Sequence, residues 1–164
     1  MYDKSILQET ADILFRKHYT LAVAESVTAG LLQAAFAAAE NATSFFQGGI
    51  TAYNAKQKYT HLQVDILHAV SCNCVSDLIA SEMALGVSKS FLSDWGIAIT
   101  GYASPLPGHD MNPLYAHFAI SFKNEIVKSG KITASIKEPL QVQLFYVNTI
   151  LKEMLDLLKT IERN

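Results

Sequence analysis

The sequence predicts an α/β fold, a three-layer α/β/α sandwich built on a mixed β-sheet. Two observations predict it. Short apolar segments alternate with amphipathic helical stretches over the first hundred residues, as parallel strands covered on both faces require. Two longer segments joined at Lys123-Asn124 then form an antiparallel hairpin, which makes the sheet mixed.

Taken in order, residues 3–19 place Ile6, Leu7, Ile13 and Leu14 on one side at helical spacing, with Asp3 as the cap. Residues 20–24 are small and apolar, a buried strand that runs into Glu25-Ser26-Val27-Thr28-Ala29-Gly30. An alanine-rich helix is expected over 31–40, a strand over 48–53 behind Gly48-Gly49, and a short helix over 54–62. Residues 65–74 show no periodicity and read as irregular. From Ser76, a cap, Ile79, Met83, Val87 and Phe91 recur every four residues and mark a helix with one buried stripe. A second buried strand covers 96–100. Three of the four prolines then fall between Gly101 and Pro113, defining one long loop of the kind that often carries function. The hairpin covers 114–122 and 125–133. Leu140, Leu144, Val147, Leu151, Met154, Leu158 and Ile161 give a long last helix. Extra apolar residues at Phe145, Tyr146, Ile150 and Leu155 widen its stripe beyond a coiled-coil seam, so it is expected to pack on the sheet.

With 164 residues the chain fits one domain with a full core. Half the residues are apolar and 17% are charged, the reverse of a disordered composition. The net charge of −2, without a basic block, argues against electrostatic binding to nucleic acid or to an anionic membrane. No apolar run approaches the ~20 residues that span a bilayer. The N-terminus lacks the charged-then-apolar order of a secretory signal, so a cytoplasmic location is expected. Cys72 and Cys74 are too few for a zinc site and are expected as reduced thiols. The five histidines show no metal-ligand spacing, and no metal is implied.

In such sheets the chemistry sits where strand ends meet helix starts. Ser26 directly follows the first strand, beside backbone N–H groups able to stabilise an oxyanion. Tyr53 ends the next strand, with Lys58 just beyond, and Thr100-Gly101 closes the third. A serine needs a base, and a lysine can serve once burial or a neighbouring cation makes it neutral. Tyr53 could relay a proton. Each residue also has a plain structural explanation: Ser26 or Thr28 as a helix cap, Lys58 as a solvated helix lysine, Tyr53 as a packed strand end.

The segments Ala24-Glu25-Ser26-Val27-Thr28-Ala29-Gly30, Gly48-Gly49-Ile50-Thr51-Ala52-Tyr53 with Lys58, Val75-Ser76 with Met83-Ala84 and Gly86, and Ala98-Ile99-Thr100-Gly101 resemble the C-terminal domain of competence/damage-inducible protein CinA. Active members of that family hydrolyse nicotinamide mononucleotide to nicotinate mononucleotide and ammonia, without metal or organic cofactor. The resemblance implies Ser26 as nucleophile, Lys58 as general base and Tyr53 as an assisting residue. It further implies substrate contacts at Glu25, Thr28, Ala29, Gly30, Gly49, Thr100 and Gly101, with N–H groups of residues 28–30 holding the oxyanion. It also implies the three-layer sandwich, a small-molecule amide or nucleotide as partner, and a homo-oligomer.

The chain departs from the family pattern where a phosphate would bind. Ala29 replaces a glycine, the loop after Thr100-Gly101 has lost glycines, a glycine of the next strand is replaced at Leu114-Tyr115, and the arginines common near 132–137 are missing. Lys131 or Lys137 would have to substitute, as point charges without a guanidinium's fork. An altered substrate, or a silent homologue binding a small ligand or protein partner through the same crevice, are the alternatives.

Overall fold

A computed structural model describes residues 1–163. The element order is α1 (Lys4–Arg16), β1 (Leu21–Glu25), α2 (Leu31–Ala37), α3 (Ala42–Phe45), β2 (Phe46–Thr51), α4 (Ala55–Leu62), α5 (Ile66–Ser71), α6 (Asp77–Ser90), β3 (Trp95–Gly101), β4 (Leu114–Phe122), β5 (Glu125–Ala134) and α7 (Pro139–Glu162). The five strands form one sheet in the order β2-β1-β3-β4-β5. β2, β1 and β3 run parallel, and the β4–β5 hairpin adds antiparallel to β3, giving the predicted mixed sheet.

Period-2 alternation sorts residues to the two faces. Leu21, Val23, Ile97, Ile99, Phe118 and Ile120 pack beneath α1, α2 and α7. Their neighbours Ala22, Ala24, Ala98 and Ala119 face α4 and α6. Large residues thus build a thick core on one side, and small ones let α6 lie close on the other. The approach is tightest at Gly96, where an added Cβ would come within 2.2 Å of the Ala84 carbonyl oxygen and 2.7 Å of Ser121 Oγ. On the thick side α7 buries Val142, Tyr146, Ile150, Leu151 and Met154, as its wide apolar stripe requires.

Caps set several boundaries. Asp3 accepts from the N–H groups of Ser5 and Ile6, Asn54 from Gln57, and Ser76 from Ile79. The structure departs from the expectations at three places. Residues 66–71, expected to be irregular, form α5, capped by Asp65. Only Ala69 of this short helix is buried while Leu67 and Val70 face outward, so no amphipathic pattern was there to see. The helix expected over 31–40 ends at Ala37, and the chain turns through a left-handed Asn41 (φ 60°) into α3. β2 starts earlier than expected and stops at Thr51, leaving Tyr53 beyond the strand. Among the described residues no helix is long and apolar enough to cross a membrane.

Gly96→Ala should drive a methyl group into the α6 backbone and destabilise the fold by about 1–3 kcal/mol. Urea unfolding would read this as a lower midpoint at unchanged slope; an unshifted midpoint would mean that α6 is not held against the sheet there.

Candidate active site

β1 lies between β2 and β3, so its C-terminal end is flanked on both sides. The pairing continues past the strand: the Ala52 N–H donates to the Glu25 carbonyl (2.8 Å) and the Ser26 N–H to the Ile99 carbonyl (3.1 Å). Ser26 is thereby fixed just past the end of β1, 6% exposed. Lys58 reaches it from the first turns of α4 and is wholly buried. Its Nζ lies 3.0 Å from Ser26 Oγ and 2.7 Å from the Ala52 carbonyl oxygen. Burial lowers the Lys58 pKa to about 8, outweighing the opposing influence of the nearby Cys74 sulfur. In its neutral form the amine can donate to Ala52 and still offer its lone pair to the serine hydroxyl. The solvated helix lysine is therefore not what the structure contains.

The turn after Ser26 is built by Glu25. Its wholly buried carboxylate accepts from the N–H groups of Gly30 (3.2 Å), Leu32 (3.0 Å) and Gln33 (2.7 Å), neutralising the start of α2. Neither Ser26 nor Thr28 caps this helix; Gly30 stands at the cap position in the left-handed region (φ 103°), and Ala29 before it is also left-handed (φ 50°). The Ala29 N–H donates to the Ser26 carbonyl (3.2 Å). The oxyanion donors expected over residues 28–30 are thus reduced to one, because the N–H groups of Ala29 and Gly30 are already engaged. The N–H groups of Val27 and Thr28, the two residues after Ser26, have no partner among the described residues. The Thr28 side chain is wholly buried, with Oγ1 unpartnered.

The remaining expected residues divide. Tyr53 is 73% exposed and its hydroxyl bonds neither Ser26 nor Lys58; it stands at the crevice mouth rather than as a packed strand end. Thr100 is buried and donates from Oγ1 to the Cys74 carbonyl (2.7 Å), which holds the turn before α6 against β3. Gly101 lines the crevice, and a Cβ there would meet that of Ala116 at 2.4 Å. At Gly49 a Cβ would meet the Val23 carbonyl oxygen at 2.6 Å, a packing constraint away from the crevice. Two cavities flank the site, of about 420 and 230 Å³, and share Tyr53, Gly101, Tyr102 and Leu106.

Sequence reasoning missed the Val27 N–H, Asn73, Tyr102 and Gln143. Asn73 donates to the Tyr102 hydroxyl (3.1 Å), Tyr146 of α7 donates to the Tyr102 carbonyl (3.1 Å), and Gln143 donates to the Val27 carbonyl (2.8 Å). These are contacts between distant segments, and no local pattern announces them.

The profile of the CinA C-terminal domain matches residues 3–157. The chain belongs to the CinA C-terminal domain family. Among its relatives are CinA-like proteins of Rippkaea orientalis, 37% identical over 112 residues, and of Trichodesmium erythraeum, 34% identical over 128 residues. These matches cover 68% and 77% of this chain but only 27% and 30% of the relatives, so the chain spans about a third of their length or less. The fold is similar to a CinA superfamily protein from Klebsiella pneumoniae, with a TM-score of 0.88 and 26% identity over 96% of this chain and 98% of that one. A competence or damage-inducible protein from Enterobacter asburiae gives 0.84 and 26%, over 96% and 99% of the two chains.

Because the Lys58 pKa falls from 10.5 to about 8 on folding, the unfolded chain holds the extra proton between those values, and stability should rise with pH there. Relative to Lys58→Met, which lacks the titration, the native protein should gain up to about 3 kcal/mol between pH 8 and 10.5. Parallel chemical denaturation across that range checks this; two curves that run parallel with pH would show the amine to be hydrated.

Proposed function

We propose that this chain is an amidohydrolase working by a Ser-Lys mechanism on a primary carboxamide. The observation that carries the proposal is the Lys58 amine, stripped of water and 3.0 Å from Ser26 Oγ. Neutral Lys58 removes the hydroxyl proton as Ser26 attacks the carboxamide carbon. The N–H groups of Val27 and Thr28 receive the developing oxyanion. Lys58 then delivers its proton to the departing ammonia, and water, deprotonated by the same amine, releases the acid from the acyl-serine. Glu25 acts through structure, holding the turn that aims those N–H groups, and Tyr53 borders the substrate. The resemblance of the motifs makes nicotinamide mononucleotide the first substrate to assay, with nicotinate mononucleotide and ammonia as products.

A silent binding homologue has less support. Burying an amine costs stability, and a sequence released from catalysis has no physical reason to keep that cost where a methionine would pack. Together the lysine, the serine and the free N–H pair make a working set, and none of them improves the core.

Ammonia release from nicotinamide mononucleotide and simpler carboxamides should fall at least ~10³-fold in Ser26→Ala and in Lys58→Met. The logarithm of kcat/KM should climb with unit slope below pH 8 and flatten above it, as the free enzyme's base loses its proton. Undiminished release by Ser26→Ala would remove the mechanism.

A further inference from the structure

Cys72 and Cys74 take no part in the chemistry above, yet Cys74 lies in the wall of the larger cavity with Asn73 and Val75. Both cysteines are free and half-buried. α5 ends there in a Schellman turn: the Cys74 N–H donates to the Ala69 carbonyl (2.7 Å) and the Asn73 N–H to the Val70 carbonyl (3.4 Å), with Asn73 left-handed (φ 50°). One such residue between the cysteines brings their Cα atoms to about 5.4 Å, the spacing of i and i+2 in helical backbone of either hand. A disulfide spans roughly 4.4–6.8 Å between Cα atoms. Both side chains pack against the apolar cluster that faces α4 and α6, so the two sulfurs point to one side of the turn. Cys72 Sγ lies 3.9 Å from the same Ala69 carbonyl oxygen that takes the Cys74 N–H.

The turn is tied to the crevice by two further bonds. Thr100 Oγ1 donates to the Cys74 carbonyl (2.7 Å) and Asn73 donates to the Tyr102 hydroxyl (3.1 Å), so the end of β3 and the Tyr102 ring both depend on the conformation of residues 73–74. Cys74 is itself left-handed (φ 63°), which is uncommon and costly for a residue with a side chain. A bond drawing Cys74 toward Cys72 acts directly on these contacts. Because it closes a loop of a single residue, it constrains the unfolded chain little and serves as a reducible link rather than a staple.

We propose that Cys72 and Cys74 form a reversible dithiol–disulfide site that controls the wall of the crevice, with a low-molecular-weight disulfide as oxidant. One cysteine thiolate attacks the small disulfide and expels the first of its two thiolates. The other cysteine attacks the protein sulfur of that mixed disulfide, closes the Cys72–Cys74 bond and expels the second. Two electrons pass from the cysteine pair to the small disulfide, and the two cysteine protons end on the two small thiols. Burial pushes the Cys74 thiol up, so exchange should quicken as pH rises. Formation of the bridge does not depend on the Ser-Lys reading, whereas its effect on turnover rests on that reading.

Native protein treated with oxidised glutathione should lose two hydrogens in mass, with proteolytic mapping placing the bridge between Cys72 and Cys74 and dithiothreitol restoring both thiols. Ammonia release should fall at least ~5-fold on oxidation and recover on reduction. Cys72→Ser, whose side chain lines neither cavity, should keep the untreated rate and hold glutathione as an adduct in place of the bridge. Two thiols that stay free, glutathione adducts on the wild type without the internal bridge, or a bridge that leaves ammonia release unchanged would each overturn the proposal. Should the reduced protein hydrolyse no carboxamide, the Ser-Lys reading fails alone, and hydrogen exchange over residues 100–102 decides: a bridge that alters it upholds control of the wall, and a bridge that leaves it unaltered ends the proposal.

Discussion

An amine removed from water must shed its proton or surround itself with acceptors, and Lys58 is placed where it can do both. Its partners are the carbonyl of Ala52 and the hydroxyl of Ser26, each just past the end of a neighbouring parallel strand. The lysine therefore ties β1 to β2 at the point where the sheet stops. That arrangement needs room behind the strands, and the alanines on that face supply it. The same small residues that bring α6 down onto Gly96 accompany a face on which a long side chain can be enclosed without displacing the sheet.

Much of the fold was legible because the signals were local. Asp3, Asn54 and Ser76 act as caps where the sequence places them, and the alternation of large and small residues in Leu21-Ala22-Val23-Ala24 matches a strand buried on both faces. α5 was not legible, since a six-residue helix with one buried residue leaves no stripe. In the site, the sequence placed Ser26 and Lys58 correctly at a strand end and an early helix turn, but spacing alone could not show that they meet. Glu25 was the least legible. Adjacent to a candidate nucleophile, a carboxylate invites a substrate-binding role, yet its oxygens turn away to take the N–H groups of Gly30, at the α2 cap, and of Leu32 and Gln33 in its first turn. Only the fold decides which way such a side chain points.

Membership in the CinA C-terminal domain family and the geometry of the crevice speak to different things. Family likeness extends over residues 3–157 and accounts for the sheet order and the strand-end motifs. The two cavities are bordered by Tyr53–Ala55, the end of α5 with the turn before α6, residues 100–107, Val27 and Gln143 of α7.

The hydrogen bond from Gln143 to the Val27 carbonyl reaches further than its surface position suggests. A peptide unit is planar and trans, so its C=O and the following N–H point in opposite directions. Gripping the oxygen of Val27 therefore steers the hydrogen of Thr28, which lies on the same plane. The last helix, more than a hundred residues away in sequence, acts as the tiller of that dipole, and the direction in which the Thr28 N–H points is set by a glutamine of α7.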